Sequence, residues 1–393
     1  MKKLFLLILV SVLIAGCINT SPTGEDTVNV NQKTDEGSLK DVLSVEQVNV
    51  VPSTIHPGEL FQVIIKIKNN DEQHNINRVK VDLFDTSNFN LENSPPCYSD
   101  FCTIPPKGEK EVTFELTAPQ AAFTQSTSYQ GTVSYKISYA YLGLTTFEFP
   151  IVNYEEILRA DRANKAISIS TSKTIANGPV VVDADIADRN YALSAKSAVL
   201  ELQLLNKGSG NVKRSVILPG AFRILFNRMS GINTVPPSEF DYSIFSESIY
   251  GGQTGSITGK LFEELGEHIE DIAQDALQEG FESIIGLATR EAQELYEQLM
   301  SELQPYFESF SQLYEGVDRT QITKSPEVFE CRNNACINEY FLPLYKKKSS
   351  PIYFKLENLP QVSVYKNYPI FISVFYEYEL RGTRTITVKS YGG

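Results

Sequence analysis

The sequence predicts a mainly β protein with two antiparallel β-sandwich units in tandem, the second interrupted by an α-helical hairpin. Three observations predict it. Short stretches alternate apolar and polar residues with a period of two, and clusters of Pro, Gly and Asn separate them. The same order of features recurs in the second half of the chain. Between residues 256 and 320 the apolar spacing lengthens to three and four residues. The 393-residue length also exceeds what one packed core usually holds.

The chain opens with Lys2 and Lys3, then an apolar run over residues 4–15 broken only by Ser11. That run is too short to stay in a bilayer as a spanning helix and suits the hydrophobic core of a signal peptide. Ile14-Ala15-Gly16-Cys17 closes it and resembles the lipobox of secreted lipoproteins, with Ile14 where that family usually has leucine. The resemblance implies a signal peptide over residues 1–16 and palmitate-type lipidation of the Cys17 thiol. It also implies a place on the extracytoplasmic face of the cell membrane. Residues 17–43, rich in Asn, Thr, Ser, Gly, Asp and Glu, are expected to form a flexible tether, because they bury too little surface to offset their ordering entropy.

The first sandwich is expected over residues 44–155. Phe61, Val63, Ile65 and Ile67 share one face of a strand, and the period of two recurs at Val79-Val81-Leu83 and Val112-Phe114-Leu116. Two further strands follow, over 133–141 and 147–152. Pro57-Gly58, Asn69-Asn70-Asp71 and Pro105-Pro106-Lys107-Gly108 supply turns. The run Val45-x-x-Val48 through Pro57-Gly58-Glu59 to Phe61-x-Val63, with Asn69-Asn70 after it, looks like the Ig-like modules of archaeal and bacterial surface proteins. That likeness implies an Ig-like extracellular binding or spacer module, and a fold alone does not choose between them.

The second sandwich is expected over 156–255 and 321–393. Leu200, Leu202 and Leu204 lead into Asn206, as the strand at Phe61 leads into Asn69. Phe222-Ile224-Phe226 takes the place of Val79-Val81-Leu83. Strands at 353–358, 370–378 and 383–389 then answer those at 113–117, 133–141 and 147–152.

Four cysteines remain besides Cys17, as the pairs Cys97/Cys102 and Cys331/Cys336. Outside the cytoplasm two local disulfides are the simplest reading, and a zinc site built from both pairs is the alternative.

Residues 260–318 hold two basic side chains and fifteen acidic ones, which equals the net charge of −13 for the whole chain. Leu261, Leu265, Ile269, Ile272 and Ala276 mark an apolar stripe there. The acidic stretch is the expected contact for a protein partner, since an insertion in one of two repeated units is where a task is added. The negative charge excludes general affinity for nucleic acid.

Chemistry-bearing motifs are scarce. His56, His74 and His268 stand apart, and none has a second histidine at metal-ligand spacing. Gly255 to Lys260 fails as a phosphate loop, with Thr254 at its first glycine position and Leu261 after the lysine. Asp183, Asp185 and Asp188 depart from calcium-loop spacing and read as a polar strand edge. Tyr376-Glu377-Tyr378-Glu379 reads as core alternation, the sharper option being outward tyrosines for sugar stacking. No catalytic, cofactor-binding or metal residue is assigned. A non-enzymatic binding or structural role in the cell envelope is expected. The competing expectation is an extracytoplasmic carbohydrate-active enzyme or glycan-binding lipoprotein.

Overall fold

The computed structural model describes residues 28–33, 41–72, 74–120, 128–165, 167–175, 178–186, 191–226, 232–234, 329–332 and 335–390. Cys17 and the signal peptide expected before it, the helical insertion expected over 256–320, His268, the 255–260 motif and Asp188 lie outside them. The strands before the one described helix are β1 (Val28–Lys33), β2 (Leu43–Val51), β3 (Leu60–Asn69), β4 (Ile76–Asp85), β5 (Asn90–Leu91), β6 (Cys102–Ile104), β7 (Glu109–Thr117) and β8 (Ser128–Val152), followed by α1 (Tyr154–Arg162). Then come β9 (Ile167–Ile175), β10 (Val180–Ile186), β11 (Ala192–Leu193), β12 (Ala198–Asn206), β13 (Asn211–Val212), β14 (Val216–Ile217), β15 (Phe222–Phe226) and β16 (Ile232–Thr234). The chain closes with β17 (Phe329–Arg332), β18 (Ala335–Asn338), β19 (Leu342–Pro343), β20 (Ile352–Leu356) and β21 (Tyr365–Lys389).

Two very long strands form the spine. β8 and β21 pair antiparallel over all 25 residues of each, from Ser128↔Lys389 to Val152↔Tyr365. β4 pairs with the first half of β8, and β15 with the first half of β21. β6 extends the β4 side, and β18 with β17 extends the β15 side. Two further four-stranded sheets run in the orders β2-β3-β7-β5 and β10-β12-β20-β16. Ring contacts join the first to the β4 end of the spine and the second to the β15 end, and β2, β3, β7 and β5 correspond in order to β10, β12, β20 and β16. We call these ends the first and second lobes.

Aromatic rings bridge the layers. In the first lobe Phe61 of β3 meets Phe89 edge-on at 5.2 Å, and Phe89 meets Tyr129 of β8 at 6.1 Å. In the second, Phe226 of β15 lies 5.8 Å from Phe354 of β20, and Phe329 stands between Phe222 and Phe354. At the middle of the spine Tyr139 faces Tyr378 and Tyr141 faces Tyr376, all four buried. Such pairs add about 0.5–1.5 kcal/mol each beyond the area they bury.

Three expectations change. The strands expected over 133–141 and 147–152 are one strand, and so are those over 370–378 and 383–389. Gly143 and Gly382 stay in the ladder instead of turning, opposite Val374 and Tyr135. Tyr135 covers Gly382 so closely that a Cβ there would overlap its hydroxyl. Within the stretch expected as a flexible tether, Val28–Lys33 forms β1 and pairs in parallel with β9, in keeping with its Val-Asn-Val-Asn alternation.

The third change is α1, which period-two reading passes over. Asn153 caps it by accepting from the Glu155 N–H at 2.9 Å, Glu155 and Glu156 lie in its first turn, and Arg159 and Arg162 close it. Its residues are not buried. Among the described residues, no helix is long and apolar enough to cross a membrane.

Candidate functional site

Both cysteine pairs are bonded, Cys97 to Cys102 and Cys331 to Cys336, with Cα separations of 5.0 and 4.1 Å. This removes the four-cysteine zinc alternative. Cys331 and Cys336 are a cross-strand pair of β17 and β18. His74 is buried in the turn after β3, its Nδ1 3.1 Å from the Asp71 carboxylate, which also accepts the His74 N–H. The pair pins that turn. His56 lies at the other end of β3, before its first residue, with its Nδ1 3.0 Å from the Lys389 carbonyl. Asp183 and Asp185 occupy the exposed positions of β10, an outer strand of its sheet. Among the described residues no group of three or more His, Cys, Asp or Glu is placed to hold a metal ion. Tyr376 and Tyr378 point into the core, so the alternation reading of that segment is the one observed.

The concave site lies on the opposite face of the spine, where alternation turns Ser138, Ala140, Glu377 and Glu379 away from those tyrosines. It is a cleft of about 720 Å³. Its floor is three neighbouring strands: β4 with Arg78, Lys80 and Asp82, β8 with Lys136, Ser138 and Ala140, and β21 with Glu377, Glu379 and Arg381. One wall is Phe101, half exposed and next to Cys102 in the first disulfide loop. The other wall is Asn211 to Ser215, contributed by the second lobe through β13 and the 3-10 turn after it. A cleft between two lobes is where ligand sites concentrate.

The ladder register orders the floor in rows. Asp82, Lys136 and Arg381 lie side by side across the three strands, and Lys80, Ser138 and Glu379 form the next row, with Asn211 of β13 beside Glu379. Ala140 and Glu377 form the third row. Lys213 reaches Glu377 at 2.6 Å, Arg381 reaches Glu379 at 2.8 Å, and Asp82 lies 3.5 Å from both Lys80 and Lys136. The Arg78 guanidinium sits 4.0 Å above the Phe101 ring. Six cationic side chains therefore meet three carboxylates, a surplus of positive charge in a chain whose total is −13.

Beneath the floor, burial pushes the Tyr139 hydroxyl well above the usual tyrosine range, with the neighbouring Tyr376 and Tyr378 adding to it. Tyr378 is pushed up by burial and by the charge of Asp41, while its bond to Asn206 opposes the shift. Both hydroxyls stay neutral.

Sequence reasoning missed the cleft. Its charges on β4, β8 and β21 occupy outward strand positions and read as a solvated face, and Lys213 and Arg214 lie in a turn. The weak signal was Lys136 together with Lys80 and Asp82, polar alternates in strands whose partners were not yet known.

No family model matches the chain, and no curated protein matches it in sequence. Among solved structures, it is weakly similar to the Enterococcus faecalis MSCRAMM ACE, described as binding its ligands by the collagen hug model. Identity is 9% over 88% of this chain and 95% of that one, with a TM-score of 0.13. A likeness that loose bears on neither the fold nor the ligand.

Proposed function

We propose that this protein is a lipid-anchored, non-enzymatic binding or structural component of the cell envelope, displayed on the extracytoplasmic face through Cys17. The observation that carries the reading is the repeated strand order of the two lobes. In Ig-like sandwiches one sheet runs A-B-E-D and the other C-F-G. The order β2-β3-β7-β5 with β4-β8-β21 fits that arrangement, and so does β10-β12-β20-β16 with β15-β21-β8. Each lobe's last strand is then the far half of the other lobe's long strand, a reciprocal exchange within one chain. Two disulfides suit a compartment that does not reduce thiols. The acidic stretch 256–320 is the proposed contact for a basic protein partner.

Detergent phase partitioning of cell extracts tests the anchor. Wild-type protein is expected in the detergent phase and the Cys17→Ser variant in the aqueous phase or as an unprocessed precursor. Wild-type protein in the aqueous phase, or no difference between the two, rejects the lipoprotein reading.

A further inference from the structure

We infer that the cleft between the lobes binds an extended acidic peptide segment, whose carboxylates are held by Lys80, Lys136 and Arg381 at one end and by Lys213 and Arg214 at the other. The inference deepens the binding role proposed above and rests on that reading for its purpose.

Charge is the first argument. Six cations against three carboxylates give the cleft a sign opposite to that of the whole chain. A concave site with low-dielectric walls focuses that field and draws in anions. The internal pairs do not exhaust the cations. Asp82 is shared between two lysines at 3.5 Å, and each ammonium carries three donors, so each can take a second oxygen. The exposed Arg214 side chain forms no ion pair among the described residues.

Spacing is the second argument. The row with Lys136 and Arg381 and the row with Glu377, clamped by Lys213, lie four residues apart along the strands. At about 3.4 Å per residue that is about 14 Å. An extended peptide with carboxylates four positions apart spans the same length, and Ser138 and Asn211 between the two ends offer neutral hydrogen-bonding groups to its backbone.

The third argument separates peptide from sugar. A sugar ring stacks on an open aromatic face. The ring of Phe101 carries the Arg78 guanidinium at 4.0 Å, and Tyr139 is buried. The floor is carried on paired strands and is ordered before the ligand arrives, which lowers the entropic cost of binding.

The test is fluorescence anisotropy of a labelled hexaglutamate peptide titrated with the full-length protein in detergent at low salt. Saturable binding that weakens with added salt is expected. The double variant Lys136→Glu with Arg214→Glu, one substitution at each end, is expected to weaken it by about tenfold or more. Lys355→Glu, on β20 in the other sheet of the second lobe, should change nothing. Should the double charge reversal fail to fold, as judged by its melting curve, Lys136→Gln with Arg214→Gln is expected to lower affinity in the same direction. Absence of saturable binding, or affinity equal in wild-type and double variant, overturns the inference. Stronger binding of a sulfated hexasaccharide than of the peptide overturns the peptide assignment. The titration does not depend on Cys17, so failure of the anchor and failure of the cleft are told apart.

Discussion

β3 in the first lobe ends in Asn69, and β12 in the second ends in Asn206. Both side chains accept the backbone N–H two residues on, from Asp71 at 2.9 Å and from Gly208 at 3.1 Å, which shapes the same Asx turn. From there they diverge. The Asn69 amide donates to three carbonyls, of His74, Ile104 and Pro105, at 2.9 to 3.1 Å, and so ties the turn to β6 within its own lobe. Asn206 donates to Gly210 and accepts the Tyr378 hydroxyl at 3.0 Å, which fastens its turn to the spine. The first lobe reaches the same turn, because the Asp41 carboxylate accepts the Ser209 N–H at 2.9 Å. One copy of the turn closes a lobe and the other joins lobes. A repeated local motif can therefore keep its backbone shape while its spare hydrogen-bonding capacity serves a different purpose.

The largest effect expected from breaking this comparison is at Asn69. Asn69→Ala strips three carbonyls, two of them in buried bonds, and one N–H of their partner and should cost about 3 kcal/mol in urea unfolding. Asn206→Ala should cost less, about 2 kcal/mol. Equal losses would mean that the two turns are energetically interchangeable.

The two mid-spine glycines sharpen the same contrast at smaller scale. Gly382→Ala pushes a methyl into Tyr135 and should cost about 2 kcal/mol, read as a lowered Tm. Gly143→Ala meets nothing closer than 3.6 Å and should move stability by less than about 0.5 kcal/mol. A comparable drop at both sites would show that the Tyr135 contact is not the reason for glycine at 382.

The smallest effect at neutral pH belongs to the buried tyrosines, and it grows with alkalinity. Burial raises the pKa of Tyr139 and Tyr378 in the folded state, whereas the unfolded chain titrates near pH 10, roughly the ordinary tyrosine value. Their contribution is complete below that value. Above it the unfolded chain loses protons first, so stability falls as pH rises, by about 1.4 kcal/mol per pH unit for each group. Tyr139→Phe should flatten the fall of the urea midpoint above about pH 10. Parallel slopes for variant and wild type would assign the alkaline loss elsewhere.

What could be read from the residues alone was whatever depends on near neighbours. Alternation placed Phe61 to Ile67 and Tyr376 to Glu379 on their correct faces, and the close spacing of Cys97/Cys102 and Cys331/Cys336 was enough to pair them. The continuity of β8 and β21 was not legible. Gly143 and Gly382 look like punctuation until the opposite strand is known, and that strand lies more than two hundred residues away. The short α1 was signalled only by Asn153 ahead of two glutamates, too little to outweigh the strands around it. The cleft was hidden for the same reason as the spine. Lys80, Lys136 and Arg381 become neighbours only through register, and no local pattern encodes register between distant segments.

The shared spine also bears on biogenesis. Ser128 of β8 pairs with Lys389, so the first lobe takes a neighbouring strand from a segment more than two hundred residues further along the chain. A chain emerging from its N-terminus cannot finish that lobe and then begin the next, as domains on a string do. Each lobe lacks a strand partner until β8 and β21 are both available, and pairing between segments so far apart in the chain is slow to form. Such a chain reaches its native pairing late. It also relies on protection of its unpaired strand edges until the last segment arrives.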